Sequence, residues 1–205
     1  PSSMAGGPIG PDPDPHAVLD PAHAPPALMP LEERLWHLRQ LGVDLIWVIP
    51  FTRRFARMQA APFVRRILLG RLRAAALVVG ERFVFGKGRR GDMETLQALG
   101  PPGGMRVVPV REITVGGKPV SSSRIRRLIA RGRLADARRL LGRSPALYGL
   151  IVRGSGRGKR LGFPTANIRL DAHVTPPRGV YAVLLRSADH RRVWRGVMNF
   201  GVRPT

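Results

Sequence analysis

Three short segments of this sequence could hold an anion. The first, Gly86-Lys87-Gly88-Arg89-Arg90-Gly91, satisfies G-x-G-x-x-G, and Glu112 follows about 20 residues on, as a dinucleotide fingerprint requires. That fingerprint needs its turn directly off a strand, so that a pyrophosphate meets the helix N-terminus. Here Glu81 to Phe85 intervene between the strand-like run and Gly86. Two readings stay open, a dinucleotide turn and a flexible basic loop. In either, Lys87, Arg89 and Arg90 can hold phosphate.

The second segment, Arg153-Gly154-Ser155-Gly156-Arg157-Gly158-Lys159-Arg160, looks like a phosphate loop. Its Walker spacing fails: Gly154 to Gly158 is one residue short, and Arg160 replaces the Ser/Thr that would hold magnesium. Glycines among cations still let the backbone approach an anion closely, whereas the plainer reading is a β-turn. Thr165 and Asn167 follow, and their hydroxyl and amide oxygens are hard donors that could join phosphate oxygens around Mg²⁺, or be ordinary turn formers. The third segment is Ser121-Ser122-Ser123-Arg124-Ile125-Arg126. One serine should cap a helix, and the exposed amides with Arg126 could together meet a negative charge. The five histidines, His16, His23, His37, His173 and His190, have no metal-ligand spacing, and His37 is expected on an exposed helix face.

The elements that must position these groups change character along the chain. Nine of the 20 prolines lie in the first 30 residues, so residues 1–30 are expected to be largely irregular. Leu31, Leu35, Leu38 and Leu41 recur at helical spacing between Pro30 and Gly42. Val43–Ile49 and Ala75–Val79 read as strands buried on both faces, Phe63–Leu72 as a helix, and Met105–Val110 as a third strand. Asp92 should cap a helix running to Leu99. Strands alternating with helices imply parallel pairing through crossovers. Ser122–Ala130 and Leu134–Leu141 read as helices parted by Gly132. From Tyr148 the runs Leu150–Val152, Val180–Leu185 and Val193–Met198 suggest an all-β unit, with a boundary near Gly142 to Pro145.

Composition narrows the function classes. The net charge is +22 over 205 residues, yet only Lys87, Lys118 and Lys159 are lysine. The arginine, alanine, glycine and proline excess is what a GC-rich coding bias produces, so charge alone does not make a nucleic-acid protein. No basic tract interleaves with aromatics that could stack on bases. Cysteine is absent, which removes disulfides, thiolate metal sites and a cysteine nucleophile. No apolar run approaches the roughly 18 residues of a membrane span. A cytoplasmic protein without membrane or nucleic-acid partners is the expectation.

Several ordered motifs together resemble a known family. Gly154, the segment Gly158 to Asn167, Gly179-Val180-Tyr181 and Asn199-Phe200-Gly201-Val202-Arg203-Pro204-Thr205 look like a riboflavin kinase domain. Upstream, Asp14-Pro15-His16, Pro50-Phe51-Thr52, Val79 to Gly86 and Val120 to Arg126 resemble the FMN adenylyltransferase half of bacterial bifunctional riboflavin kinase/FAD synthetase. The resemblance implies an α/β fold: a Rossmann-like nucleotidyltransferase domain over 31–142, then the N-terminal part of an all-β riboflavin kinase barrel over 146–205. It implies phosphorylation of riboflavin to FMN and adenylylation of FMN to FAD, with ATP as co-substrate and Mg²⁺ as cofactor. Ser121, Ser122, Ser123, Arg126, Gly154, Gly158, Lys159, Thr165 and Asn167 would bind nucleotide. Thr165 and Asn167 would also hold the metal, and Phe83 and Phe85 the flavin.

The departures from the family pattern are specific. The H-x-G-H signature of the adenylyltransferase is missing, as are the kinase's glutamate base and much of its flavin pocket. The expectation is a chain truncated at both ends with little turnover in either step. Arg82 stands where Asp or Asn is usual, and Ser123 where Thr is usual. Two other classes remain: a non-catalytic nucleotide- and flavin-binding remnant, and a basic nucleic-acid-binding protein.

Overall fold

The computed structural model describes residues 9–154, 162, 165–170 and 173–201. Contacts group them into two compact units. One holds residues up to Pro26 together with Pro30–Val120, and the other holds Ala27–Met29 with Ser121 onward. This division falls before the helix that starts at Ser122, whereas the sequence placed the change near Gly142 to Pro145.

The first unit opens with strand β1 (Ile9–Asp12) and the short helix α1 (Pro15–Leu19), inside the stretch expected to be irregular. Proline itself explains the correction. Pro15 sits in the first turn of α1, where its missing N–H costs nothing, and the Asp14 carboxylate caps the helix by accepting from the His16 N–H at 2.9 Å. Helix α2 (Leu31–Gln40) leads to β2 (Trp47–Pro50), which pairs in parallel with β1 in register Ile9 to Trp47. The strand begins later than its apolar run. Within β2, Trp47 and Val48 are half-buried and Ile49 is buried, whereas Leu45, ahead of the strand, is 64% exposed. His37 is half-buried rather than exposed. Its Nε2 lies 3.4 Å from the Glu33 carboxylate one turn back, and its ring meets Trp36 edge-on.

After α3 (Arg53–Ala56), helix α4 (Ala60–Pro62) continues into a π-helical segment, Phe63–Arg71. The parallel pair β3 (Ala76–Gly80) and β4 (Arg106–Val110) flanks α5 (Met93–Leu99) as a strand–helix–strand unit. Burial along β3 alternates, with Val78 63% exposed, so this strand covers one face and not two. The core sits beneath it: Val64, Leu68, Phe85, Leu96 and Met105 are all buried against one another. A small hairpin, β5 (Thr114–Val115) and β6 (Lys118–Pro119), closes the unit. Gly116 and Gly117 both take positive φ, as a tight two-residue hairpin turn requires. The sequence reading missed this hairpin, although its Gly-Gly pair was the signal.

The second unit begins with helices α6 (Ser122–Ala130) and α7 (Leu134–Leu141), which bury Ile125, Ile129 and Ala137. Gly132 at φ +73 makes the turn between them. Two antiparallel pairs follow: β7 (Gly149–Val152) with β8 (Asn167–Leu170), and β9 (Gly179–Arg186) with β10 (Val193–Phe200). The change from helical to β texture near Tyr148 is therefore as expected.

Candidate functional site

In the first unit the candidate residues gather where β3 and β4 end. Glu81 donates its backbone N–H to the Val110 carbonyl at 3.1 Å, which holds the two strand ends together. Two ion pairs cross the same gap, Arg82 to Glu112 at 3.5 Å and Arg111 to Glu81 at 4.0 Å. Glu112 thus faces Arg82 across the gap. Both pairs are solvent-exposed, so each contributes about 0–1 kcal/mol at most. The C-terminal edge of parallel strands is where α/β folds place ligands.

From this edge the chain passes through Phe83 and Phe85, whose rings stack at 5.6 Å and 14°. Phe85 is buried in the core, and Phe83 keeps 38% of its surface exposed. Behind them runs an aromatic ladder, Phe51 to Phe55 to Phe63 to Phe85, with ring spacings of 5.6–6.3 Å. Such contacts fix ring orientation beyond what area burial alone supplies. Sequence reasoning singled out Phe83 and Phe85. The spacing of Phe51 and Phe55, four residues apart, was the available sign of the rest.

The glycines of Gly86–Gly91 prove to be packing residues. A Cβ on Gly91 would lie 2.6 Å from the Ala60 Cβ, and one on Gly86 2.8 Å from the Ala60 nitrogen. Phe85 and Gly91 exchange two backbone hydrogen bonds of 2.9 Å across the loop, and Lys87 donates its N–H to the Met58 carbonyl at 2.7 Å. The loop is anchored, so neither a Rossmann turn nor a flexible basic loop describes it. Beyond it, Asp92 caps α5 as expected. Its carboxylate accepts from the Thr95 N–H at 2.9 Å and the Thr95 hydroxyl at 2.8 Å, which holds its pKa below the ordinary range.

In the second unit, Ser121 is the residue that caps α6, its Oγ accepting from the Arg124 N–H at 3.3 Å. Ser122 and Ser123 are exposed in the first turn and Arg126 is half-buried one turn on. The first N–H groups of a helix lack intrahelical partners, so this turn presents donors. The second cluster brings Gly154 and Asn167 together. The Asn167 carboxamide packs where a Cβ on residue 154 would stand, so a larger residue at 154 would displace that side chain. Val152 and Asn167 are partners in the β7–β8 register, which places the two segments side by side. Thr165 is exposed just before β8. Gly158 and Lys159 lie outside the described residues. Among the described residues no group of three His, Cys, Asp or Glu side chains could hold a metal ion.

Comparisons with known proteins agree with this layout. The FAD synthetase family model matches residues 11–124, and the riboflavin kinase family model matches residues 141–205. The bifunctional riboflavin kinase/FMN adenylyltransferase of Escherichia coli (strain K12) is 38% identical over 194 residues, 95% of this chain and 62% of that protein. The enzyme of the same name from Bacillus subtilis (strain 168) is 34% identical over 196 residues, 94% of this chain and 60% of that protein. The chain thus spans about six-tenths of the length of the curated relatives it matches. A crystal structure described as a macrolide-efflux protein from Streptococcus pneumoniae superposes with a TM-score of 0.82 at 27% identity, covering 97% of this chain and 64% of that one. Among the described residues, no helix is long and apolar enough to cross a membrane. With the FAD synthetase model matching more than half of its length, the chain belongs to the FAD synthetase family, and residues 141–205 behind that match are similar to riboflavin kinase.

Proposed function

We propose that this chain serves FAD biosynthesis, with riboflavin, FMN and ATP as substrates and a cytoplasmic setting. The observation that carries the reading is the pair of family matches, FAD synthetase then riboflavin kinase, in one chain and in the order of the bifunctional relatives. In the kinase step the riboflavin 5′-hydroxyl attacks the ATP γ-phosphorus and ADP leaves. In the adenylyltransferase step an FMN phosphate oxygen attacks the ATP α-phosphorus and pyrophosphate leaves. Both steps depend on positioning and charge neutralisation more than on covalent chemistry by the protein.

The residue assignments follow the two enzyme halves of the relatives, whose limits differ from those of the two compact units. A Rossmann-like domain over 31–142 offers Phe83 and Phe85 to the flavin ring, and Ser121, Ser122, Ser123 and Arg126 to the ATP phosphates. The first turn of α6 supports the second assignment through its exposed serine hydroxyls at a helix N-terminus. A riboflavin kinase barrel beginning near 146 contributes Gly154, Gly158, Lys159, Thr165 and Asn167. The packing of the Asn167 carboxamide against Gly154 supports the reading by bringing the two segments together. The donors at Thr165 and Asn167 are neutral oxygens, which fit a Mg²⁺ ion that arrives with the nucleotide phosphates and neutralises their charge.

Equilibrium binding of ATP with Mg²⁺ tests the assignments without requiring turnover. Charge-assisted hydrogen bonds contribute about 1.5–3 kcal/mol each, so S123A/R126Q and T165A/N167A should each weaken ATP binding by about tenfold or more. ATP binding that ignores both pairs of substitutions would overturn the reading.

A further inference from the structure

We propose that the anchored loop Gly86–Gly91 is the phosphate-reading element of the flavin site, with Lys87, Arg89 and Arg90 recognising a phosphate monoester and so separating FMN from riboflavin. The proposal rests on the flavin assignment of Phe83 and Phe85 and names the group that the site reads beyond the ring.

The loop is built to present charge. Its ends are tied by the Phe85–Gly91 hydrogen-bond pair, its second residue is tied to Met58, and Gly86 and Gly91 are pressed against Ala60. Three cations therefore stand on a backbone fixed from below, all of them exposed. Among the described residues none of the three side chains has an ion-pair or hydrogen-bond partner. The nearest carboxylate in sequence, Asp92, is committed to Thr95. Three like charges within four residues repel one another, and a dianion bound among them would relieve that repulsion.

Backbone conformation adds a second observation. Arg89 sits at φ +58, a region that glycine enters freely and side chains with a Cβ rarely do. Glycine already occupies position 88, at φ +65, and would satisfy the turn at 89 as well. Arg73 and His190 also take positive φ, so the conformation marks position 89 as strained, and the case for a use rests on the cations around it. The position of the loop says which use. It departs from Phe85, on which Phe83 stacks with part of its surface open, and an FMN ring at Phe83 would carry its only dianion at the end of its ribityl chain.

Fluorescence titration of FMN and riboflavin against the chain tests this, with K87Q/R89Q/R90Q compared with R138Q/R139Q/R191Q, which removes the same charge elsewhere. The expected result is that the loop variant loses about tenfold or more in FMN affinity while riboflavin changes by less than about twofold, and that the control variant moves neither. The substitution R89G separates role from strain: it should raise thermal stability and still weaken FMN binding. An equal loss for both flavins, an equal effect of the control variant, or FMN affinity kept in R89G would overturn the proposal while leaving the flavin site in place. Failure of both flavins to bind the unaltered chain would overturn the flavin assignment itself, and this proposal with it.

Discussion

The two units bury their apolar residues differently. In the first, Val64, Leu68, Leu96 and Met105 reach 0–1% exposure, gathered around Phe85 under the β3–β4 pair. In the second, the longest strands of the molecule, β9 and β10, leave one face open. Their register puts Val180, Leu184, Val193 and Val197 on that face, at 71%, 67%, 52% and 77% exposure. Both regions are about equally apolar in sequence, so apolar content does not decide burial. What decides it is whether an element of the opposite kind is supplied to cover the strand. The π-helical segment and α5 do that for β3 and β4, which is why the first unit can hold an aromatic ladder and a fixed loop at its strand ends.

The largest effects should therefore fall in the first core. Leu68→Ala or Leu96→Ala is expected to cost about 2–5 kcal/mol, read by urea unfolding, because each leaves a cavity among neighbours with no solvent to fill it. Gly91→Ala comes next. Its Cβ would meet the Ala60 Cβ at 2.6 Å and the Phe85 ring at 2.8 Å, and overpacking of this kind costs about 1–3 kcal/mol. A Gly91→Ala protein as stable as its parent would mean that the loop slides over α4, and the contrast between an anchored loop and an open sheet would lose its basis.

How much of this could be read beforehand depended on whether the signal was local. Caps are local, and they were legible: Asp92 for α5, a serine for α6, Gly42 and Gly132 behind their helices. The parallel pairing of β3 and β4 was legible from the strand–helix–strand alternation. Burial was not, because it depends on partners far away in sequence. The runs at Val43–Ile49 and Ala75–Val79 predict strands covered on both faces, whereas β3 alternates between exposed and half-buried residues and in β2 only Ile49 is buried. The glycine motif misled for a related reason. Glycines at 86 and 91 are demanded by Ala60, some 30 residues earlier, and not by a ligand phosphate. The candidate residues were legible as types in order, whereas the contact of Asn167 with Gly154 and the Arg82–Glu112 pair needed the fold.

Asp92 gives a smaller and directional effect. Its carboxylate pKa is lowered first by the Thr95 N–H and then by the Thr95 hydroxyl. A carboxyl with a depressed folded-state pKa stabilises the fold above its unfolded value, about 3.9, and that contribution disappears as pH falls through the folded value. Asp92→Ala should lower stability near neutral pH and differ little from the parent at the acid end. Asp92→Asn keeps a cap and should flatten the dependence between pH 4 and the acid end, by about the part that titration supplies. A parent whose stability did not fall over that window would remove Asp92 from the anchoring of the loop's C-terminal side.

The open face of β9 and β10 should show the least. Val180→Thr and Val197→Thr alter residues already more than two-thirds exposed, and β-branched threonine keeps the strand preference of valine. Each is expected to change stability by less than about 0.5 kcal/mol in urea unfolding. A cost comparable to Leu68→Ala would mean that this face is covered in solution, and dilution would then identify the cover. A cost that disappears at low protein concentration places a second copy of the chain on the sheet. A cost that persists on dilution places part of the same chain there. Either result would replace the contrast between a covered and an open sheet with two sheets covered in different ways.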